Sequence, residues 1–275
     1  STGHVLAKRS VTFTEIRIFL EQMLRSASGT SYSTPMAAHK AAQLLARFPH
    51  ASANLLRALL VGAAEIPEEA RQRLIHLDPQ SKRHICGNGY IGIERATYSD
   101  DSRVVLYAED ALPLDNFAVY EIPIPEHYLT QAGERTLTVT LAYDPPVRHT
   151  RVDYAGVHMS FRVLRGVTAD EVVEHFRWRA KAEGKAPTLA ASKNCDLQPG
   201  STLREKGTVQ TASVTFKRGE LTQYGNTYYL VVRCESGWAD YIDQQRFAVV
   251  VEIAHRAGIQ IYQQIEQRVR IRQQA

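Results

Sequence analysis

The second half of the chain has a strand-like sequence pattern, which restricts the fold more than any other feature. β-Branched and aromatic residues alternate with polar residues in seven short segments, as is typical of strands that bury one face. These segments are residues 103–108, 117–124, 136–143, 159–164, 209–216, 227–234 and 247–254. An amphipathic helix over residues 168–182 is inserted between the fourth and fifth segments. We therefore expect an all-β domain, an antiparallel sandwich of the jelly-roll kind with one inserted helix.

The first part of the chain has a helical pattern instead. Residues 34–48 combine alanines with Pro35, which suits a first helical turn. Residues 52–63 place leucines at helical spacing behind Ser52, a suitable N-cap. Residues 86–92 are dense in turn residues and are expected to close this unit. Because the spacing of apolar residues changes from helical to strand-like near residue 98, we expect two domains, residues 1–98 and residues 99–275.

The segment most relevant to chemistry reads Ser-Gly-Thr-Ser-Tyr-Ser-Thr-Pro over residues 28–35. It places Ser31 on a turn introduced by Gly29, directly before an alanine-rich helix. The free N–H groups and the positive dipole end of a helix N-terminus stabilise a developing oxyanion, so this position suits a nucleophile. Short polar residues before a helix also serve as ordinary caps, which is the structural alternative for Ser31.

The string Gly-Thr-Ser-x-Ser-x-Pro, followed by a small-residue helix, resembles the nucleophile motif of the subtilisin-like serine peptidases. The second helix and the turn Gly-Asn-Gly-Tyr at residues 87–90 are similar to features that follow this motif in the family. The resemblance covers about residues 26–98. It implies the C-terminal, α/β part of a catalytic domain, with Ser31 as nucleophile and Gly29, Thr30 and Pro35 as motif and oxyanion support. The segment Leu137 to Pro146 looks like a strand of the β-sandwich domains that some of these peptidases append, although this likeness is weaker.

The other members of the catalytic triad do not fall in the sequence before Ser31. The family requires an Asp and a His ahead of the serine, and an Asn for the oxyanion hole. No Asp precedes Ser31, and His4 lacks the family's motif. We interpret the chain as part of a longer protein that supplies these residues upstream, either in cis or as a second chain. His39 is expected to point away from Ser31, whereas His50 and His84, expected in loops, stay open as alternatives.

Two functions of different classes are consistent with this sequence. In the first, the parent protein is a serine endopeptidase that acts through an acyl-enzyme on Ser31, while this chain alone is inactive because no base activates the serine. In the second, the protein is an inactive pseudo-peptidase or binding module that acts through its β domain. The partners expected for the first are a peptide or protein substrate and the missing upstream segment.

The composition of the chain limits which partners, metals, cofactors and cellular location we expect. A formal net charge of +4 with mixed signs gives no reason to expect nucleic acid, and no apolar run is long enough to suggest a membrane partner. The acidic residues near 100 and 110 lack the spacing of a calcium loop, and the histidines after residue 120 lack metal-ligand spacing, so we expect no metal and no cofactor. Three widely spaced cysteines favour buried free thiols, which points to a cytoplasmic protein. The tryptophans Trp178 and Trp238 are interpreted as packing anchors, with a ligand-binding role left open.

Overall fold

A computed structural model describes residues 11–14, 24–27, 29–125, 128, 130, 132–181, 189–216 and 224–256. Residues 11–14, 24–27 and 178–181 are described by their backbone. The described part contains helices and several antiparallel sheets, so its class is mixed. Two compact units divide the chain, residues 1–50 with 63–94, and residues 51–62 with 95–275. The predicted boundary at residue 98 between a catalytic and an accessory domain stays a prediction.

The first unit holds the segment that carries Ser31. Strands β1 (Val11–Thr14) and β2 (Leu24–Ala27) pair antiparallel, and helix α1 (Thr30–Arg47) follows. Strand β3 (Ala64–Glu65), helices α3 (Glu68–Arg73) and α4 (Pro79–Cys86), and strand β4 (Tyr90–Ile91) complete it. The two short strands β3 and β4 pair with each other. The turn-rich segment predicted at residues 86–92 is thus the turn between α4 and β4.

The second unit begins with α2 (Ala53–Gly62) and α5 (Ile93–Thr97) and is otherwise built mainly from strands. A four-stranded sheet has the order β5 (Arg103–Pro113), β11 (Gln244–His255), β7 (Arg135–Tyr143) and β9 (Val209–Phe216). A three-stranded sheet has the order β6 (Phe117–Pro123), β10 (Thr227–Ser236) and β8 (Val157–Arg165). Two further helices are α6 (Ala169–Lys181) and α7 (Ser201–Arg204).

Alternate residues of both sheets point into one apolar core. Leu137, Val139 and Leu141 enter it from β7, while Phe161 of β8 and Leu230 of β10 enter it from the other sheet. All of these side chains are fully buried, as the period-two pattern of the sequence predicts. All seven predicted strands and the inserted helix are therefore confirmed as elements.

The described residues 189–200, between α6 and α7, join the edges of the two sheets. Cys195 donates its N–H to Val163 of β8 at 2.9 Å, and Gln198 exchanges two backbone hydrogen bonds with Ser213 of β9. Because Cys195 and Leu197 also belong to the core, this connection covers one side of the core.

A helix lies on the outer face of each sheet. Val172 and Phe176 of α6 are buried against Val231 of β10 in a smaller apolar cluster. Helix α2 contacts β7, β9 and β11, and it buries Leu55 and Leu59. The two sheets therefore bury apolar side chains on both of their faces.

No helix in the described ranges combines the length and the apolar character that a membrane span requires.

Candidate active site

Ser31 is the second residue of the 18-residue helix α1, and it is exposed. The Gly29 carbonyl accepts hydrogen bonds from the N–H groups of Tyr32 at 3.1 Å and Ser33 at 3.3 Å. The Thr30 and Ser31 N–H groups come before the first possible intrahelical acceptor, so they are left for other acceptors. The structure therefore places the exposed Ser31 hydroxyl beside helix N–H groups that have no intrahelical acceptor. Oxyanion stabilisation needs this arrangement.

The neighbouring hydroxyls are engaged differently from that of Ser31. Ser33 donates its hydroxyl to the Gly29 carbonyl at 3.4 Å, and Thr34 donates to the Thr30 carbonyl at 3.0 Å. Such bonds to the carbonyl four residues earlier are typical of hydroxyl residues inside a helix. The Ser31 hydroxyl has no such bond to any residue that the structure describes. Of these three, Ser31 is the one whose hydroxyl is exposed and uncommitted there.

The position of Pro35 differs from the sequence prediction. The helix was expected to begin at residue 34 with Pro35 in its first turn, but α1 begins at Thr30 and contains Pro35 in its second turn. Because proline has no N–H, the Ser31 carbonyl loses its usual donor four residues later. The first-turn prediction was wrong because the Gly29 carbonyl already accepts the Tyr32 and Ser33 N–H groups, so the first helical turn forms before Pro35.

The Ser31 hydroxyl makes no hydrogen bond to a histidine or aspartate among the residues that the structure describes. His39 lies on α1 eight residues beyond Ser31, about 12 Å along the helix axis. His50 is exposed in the turn after α1, and His84 is exposed on α4, so its expected loop position was wrong. The expectation that the catalytic histidine lies upstream stays a prediction.

The first aspartate of the chain, Asp78, already has a structural role. Its carboxylate caps α4 by accepting hydrogen bonds from the N–H groups of Gln80 at 2.9 Å and Ser81 at 3.0 Å, and from the Ser81 hydroxyl. The Ser81 side-chain bond is the main cause that lowers the pKa of Asp78. A carboxylate committed in this way to a helix cap does not orient a catalytic histidine.

The glycine-rich turn after α4 is tightly built. Gly87 ends α4 with φ of 60° and donates its N–H to Arg83 at 2.8 Å, and Arg83 donates to the Asn88 side chain at 2.8 Å. Lys40 of α1 lies over the ring of Tyr90, with Nζ 4.5 Å from the centroid. The turn therefore holds β4, and with it Tyr90, against α1, the helix that carries Ser31.

Three of the acidic residues that were considered for calcium, Asp100, Glu109 and Asp110, have protein donors as partners. Asp100 accepts hydrogen bonds from the Ser102 N–H at 2.8 Å and hydroxyl at 2.6 Å. Glu109 accepts from the Ser52 N–H at 3.0 Å, and Asp110 from the Tyr120 hydroxyl at 3.0 Å. Among the described residues, no group of three or more His, Cys, Asp or Glu side chains is arranged to hold a metal.

Comparison with known proteins places this site in a family. The family model of the subtilases matches residues 11–89, the segment that contains the Ser31 motif, α1 and the glycine-rich turn. This match places residues 11–89 in the subtilase family and confirms the resemblance found in the sequence.

A curated relative matches most of the chain but is itself uncharacterized. It is the uncharacterized protein y4bN of Sinorhizobium fredii (strain NBRC 101917 / NGR234), 56% identical over 252 residues. The match covers 92% of this chain and 58% of the relative, so the chain spans little more than half of that protein's length. The β-rich second unit is therefore shared with this relative, while the subtilase model covers only the first part of the chain.

Two features of the structure escaped the sequence reasoning. One is the attachment of α2 to the four-stranded sheet, which amphipathic spacing does not reveal because it indicates a buried face without naming its partner. The other is the surroundings of Trp238, where two arginines lie close to the indole. The sequence signal for the latter was the run Arg148-His149-Thr150-Arg151 in a long connection between strands.

Proposed function

We propose that the protein to which this chain belongs is a serine endopeptidase of the subtilisin type. Ser31 attacks the peptide carbonyl, and its own N–H and an upstream Asn hold the oxyanion of the tetrahedral intermediate. An upstream His takes the proton of the Ser31 hydroxyl and later gives it to the leaving amine, while an upstream Asp orients the imidazole. The observation that carries the proposal is the exposed Ser31 at the start of α1, inside a segment that matches the subtilase model.

Gly29, Thr30 and Pro35 take supporting roles in this proposal. The Gly29 carbonyl accepts the first two helical N–H bonds, and the Thr30 and Ser31 N–H groups have no intrahelical acceptor and can bind the substrate. Pro35 removes one donor from the Ser31 carbonyl, which leaves that carbonyl able to accept a hydrogen bond from outside the helix.

Helix α1 also supports the proposal that an upstream segment completes the catalytic domain. Of its 18 residues, Leu44 alone is fully buried, while Met36 and Leu45 are 38% and 44% exposed. Alanines at positions 37, 38, 41, 42 and 46 give the helix small faces that allow close packing. The missing upstream part, in cis or as a second chain, would bury these faces.

We further propose that residues 1–98 are the C-terminal part of the catalytic domain and that residues 99–275 form a β-sandwich accessory domain. The shared core of the two sheets supports the second part of this proposal. Two thiols of this region, Cys195 and Cys234, are buried, and burial raises the pKa of Cys234 to about 11. Such inert thiols are compatible with the proposed cytoplasmic location.

The decisive experiment is fluorophosphonate labelling of the complete protein and of two serine variants. We expect Ser31→Ala to abolish labelling and to lower peptide hydrolysis by roughly 10⁴-fold or more. Ser33→Ala is the matched control, since Ser33 is an exposed serine of the same helical turn whose hydroxyl is bonded to Gly29. It should keep labelling and change hydrolysis less than about fivefold. Equal labelling of both variants, or none of the folded complete protein, would contradict the proposal.

The second candidate, a pseudo-peptidase that acts through its β domain, is favoured by one observation. The Ser31 hydroxyl makes no hydrogen bond to a described histidine or aspartate, and Asp78 is a helix cap. The upstream sequence separates the two candidates. An Asp-Thr/Ser-Gly motif together with a His-Gly-Thr motif favours the peptidase, and substitutions in both motifs favour the binding module.

A further inference from the structure

The connection between β7 and β8 is a projecting hairpin, residues 146–156. Gly156 donates its N–H to the Pro146 carbonyl at 2.7 Å, Val147 and Ala155 form a β-bridge, and Arg148 donates its N–H to the Tyr154 carbonyl at 3.0 Å. Its tip therefore has a defined geometry, even though residues 147–154 are all exposed.

Trp238 is seated against the base of this hairpin by close backbone packing. A Cβ at Gly156 would lie 2.5 Å from the Ala239 Cβ and 3.2 Å from the Trp238 ring, and a Cβ at Gly237 would lie 2.7 Å from the Gly156 carbonyl oxygen. The indole N–H donates to the Asp153 carbonyl at 2.9 Å. The two glycines are thus needed for the contact that fixes Trp238, and the surface around it is pre-organised.

Two arginines of the hairpin lie over Trp238. The guanidinium carbons of Arg148 and Arg151 are 4.5 Å and 5.3 Å from the ring centroid. Neither arginine makes an ion pair with a residue that the structure describes. The acidic residue of the hairpin, Asp153, lies 3.1 Å from His158. Two like charges are therefore held at one indole, and no acidic residue that the structure describes pairs with either guanidinium, so their N–H groups can bind a carboxylate.

Apolar side chains are exposed beside these cations. Val152 at the tip is completely exposed, and Tyr154 is 46% exposed. Trp, Tyr and Arg are the residue types that contribute most to binding energy at protein interfaces. We call the group Arg148, Arg151, Val152, Tyr154 and Trp238 the arginine–tryptophan platform.

We propose that the arginine–tryptophan platform binds an acidic segment of a partner polypeptide. Carboxylates of the segment accept bidentate hydrogen bonds from Arg148 and Arg151, and an apolar residue of the same segment packs on Val152 and Tyr154. Nucleic acid and anionic membranes suit the platform less, because both are bound by longer runs of cations and two arginines supply too few contacts. This proposal does not depend on whether Ser31 is catalytic.

The test starts with an array of synthetic peptides of about twelve residues that mix Asp or Glu with varied apolar residues. Each peptide is paired with a counterpart in which Asn or Gln replaces the acids, and the labelled chain is applied to both. The best acidic peptide is then titrated in solution against the Trp178→Phe variant, in which Trp238 is the remaining tryptophan. We expect retention of acidic peptides over their neutral counterparts and a change of Trp238 fluorescence on binding.

Charge variants connect this binding to the platform. Arg148→Glu with Arg151→Glu should weaken binding at least about tenfold, and the neutral pair Arg148→Gln with Arg151→Gln should weaken it less but measurably. The control pair Arg71→Glu with Arg177→Glu makes the same change in net charge at two exposed arginines elsewhere, and it should change binding less than about twofold.

Three results would overturn the proposal. The first is equal retention of acidic and neutral peptides. The second is equal weakening by the platform and control pairs when both variants melt at the temperature of the unmodified chain. The third is tighter, Arg148- and Arg151-dependent binding of oligothymidylate or of phosphatidylserine vesicles than of any acidic peptide.

Discussion

Gly89 is the residue at which the backbone of the first unit tolerates least change. Its φ is 106°, and an added Cβ would lie 2.2 Å from both the carbonyl carbon and the oxygen of Glu65. The backbone of Glu65 cannot yield without breaking the pairing of β3 with β4. We expect Gly89→Ala to lower the free energy of unfolding by at least about 2 kcal/mol, from the combined strain and overlap. Urea denaturation followed by circular dichroism measures this loss.

Gly87, two residues earlier, is the matched control for this prediction. It also has a positive φ, 60°, but an added Cβ would meet no atom within 4 Å. Gly87→Ala should therefore cost only the conformational strain, about 1 kcal/mol. Equal losses for the two variants would show that the close approach of Gly89 to Glu65 does not limit this turn.

At the scale of single residues, the sequence indicated the position of Ser31 better than its surroundings. The motif predicted an exposed serine on the turn just before a helix, whereas the structure places Ser31, exposed, inside the first turn of α1. The bonds of Ser33 and Thr34 back to the preceding turn were not predictable, because hydroxyl residues before a helix serve as caps as often as they enter it. The arginine–tryptophan platform was missed for a different reason, since Trp238 and Arg148 are far apart in sequence.

Among the elements, α2 shows how a short helix is fixed to a sheet. Arg57 donates to the Thr208 hydroxyl at 2.8 Å, and Asn54 donates to Asp144 at 2.6 Å, so polar bonds hold the helix along one side of its apolar face. Leu59, on that face, is 2% exposed. Removing the Leu59 side chain leaves a cavity under α2, and the polar bonds limit how far the helix can move to fill it.

We expect Leu59→Ala to destabilise the chain by about 3 kcal/mol, because a buried leucine loses both transfer energy and packing. Leu60, the next residue, is only partly buried and provides the comparison. Leu60→Ala should cost about 1 kcal/mol, given the smaller apolar area that it removes from water. Thermal and urea unfolding of the two variants compare the costs, and a larger cost at Leu60 would contradict the observed packing of α2.

Elements of the second unit were the part of the fold that the sequence specified best. Period-two alternation has a direct physical cause in strands such as β7, where Leu137, Val139 and Leu141 all enter the core. The order in which the strands pair could not be predicted in the same way. That β11, the last strand, lies between β5 and β7 depends on long-range contacts, which no local pattern contains.

At the scale of the whole molecule, the exposed face of α1 gives a test of whether an upstream segment packs on this helix. Leu44 is fully buried within this chain, whereas the adjacent Leu45 is 44% exposed. If the upstream segment packs on α1 as proposed, Leu45 becomes buried in the longer protein while Leu44 stays as it is. Two neighbouring leucines therefore report separately on the packing inside this chain and on the packing that the longer protein adds.

We expect Leu45→Ala to change the stability of this chain by less than about 1 kcal/mol, and that of the complete protein by about 2 kcal/mol or more. Leu44→Ala should destabilise both by about 3 kcal/mol, since its environment is already complete. Urea unfolding of the four proteins provides the comparison, with the upstream part supplied in cis and, separately, as a second chain. An equal, small effect of Leu45→Ala in every form would mean that nothing covers α1, and Ser31 would then lack the neighbouring segment that a triad requires. A larger effect only with the upstream part present would place that part directly on the helix that carries Ser31.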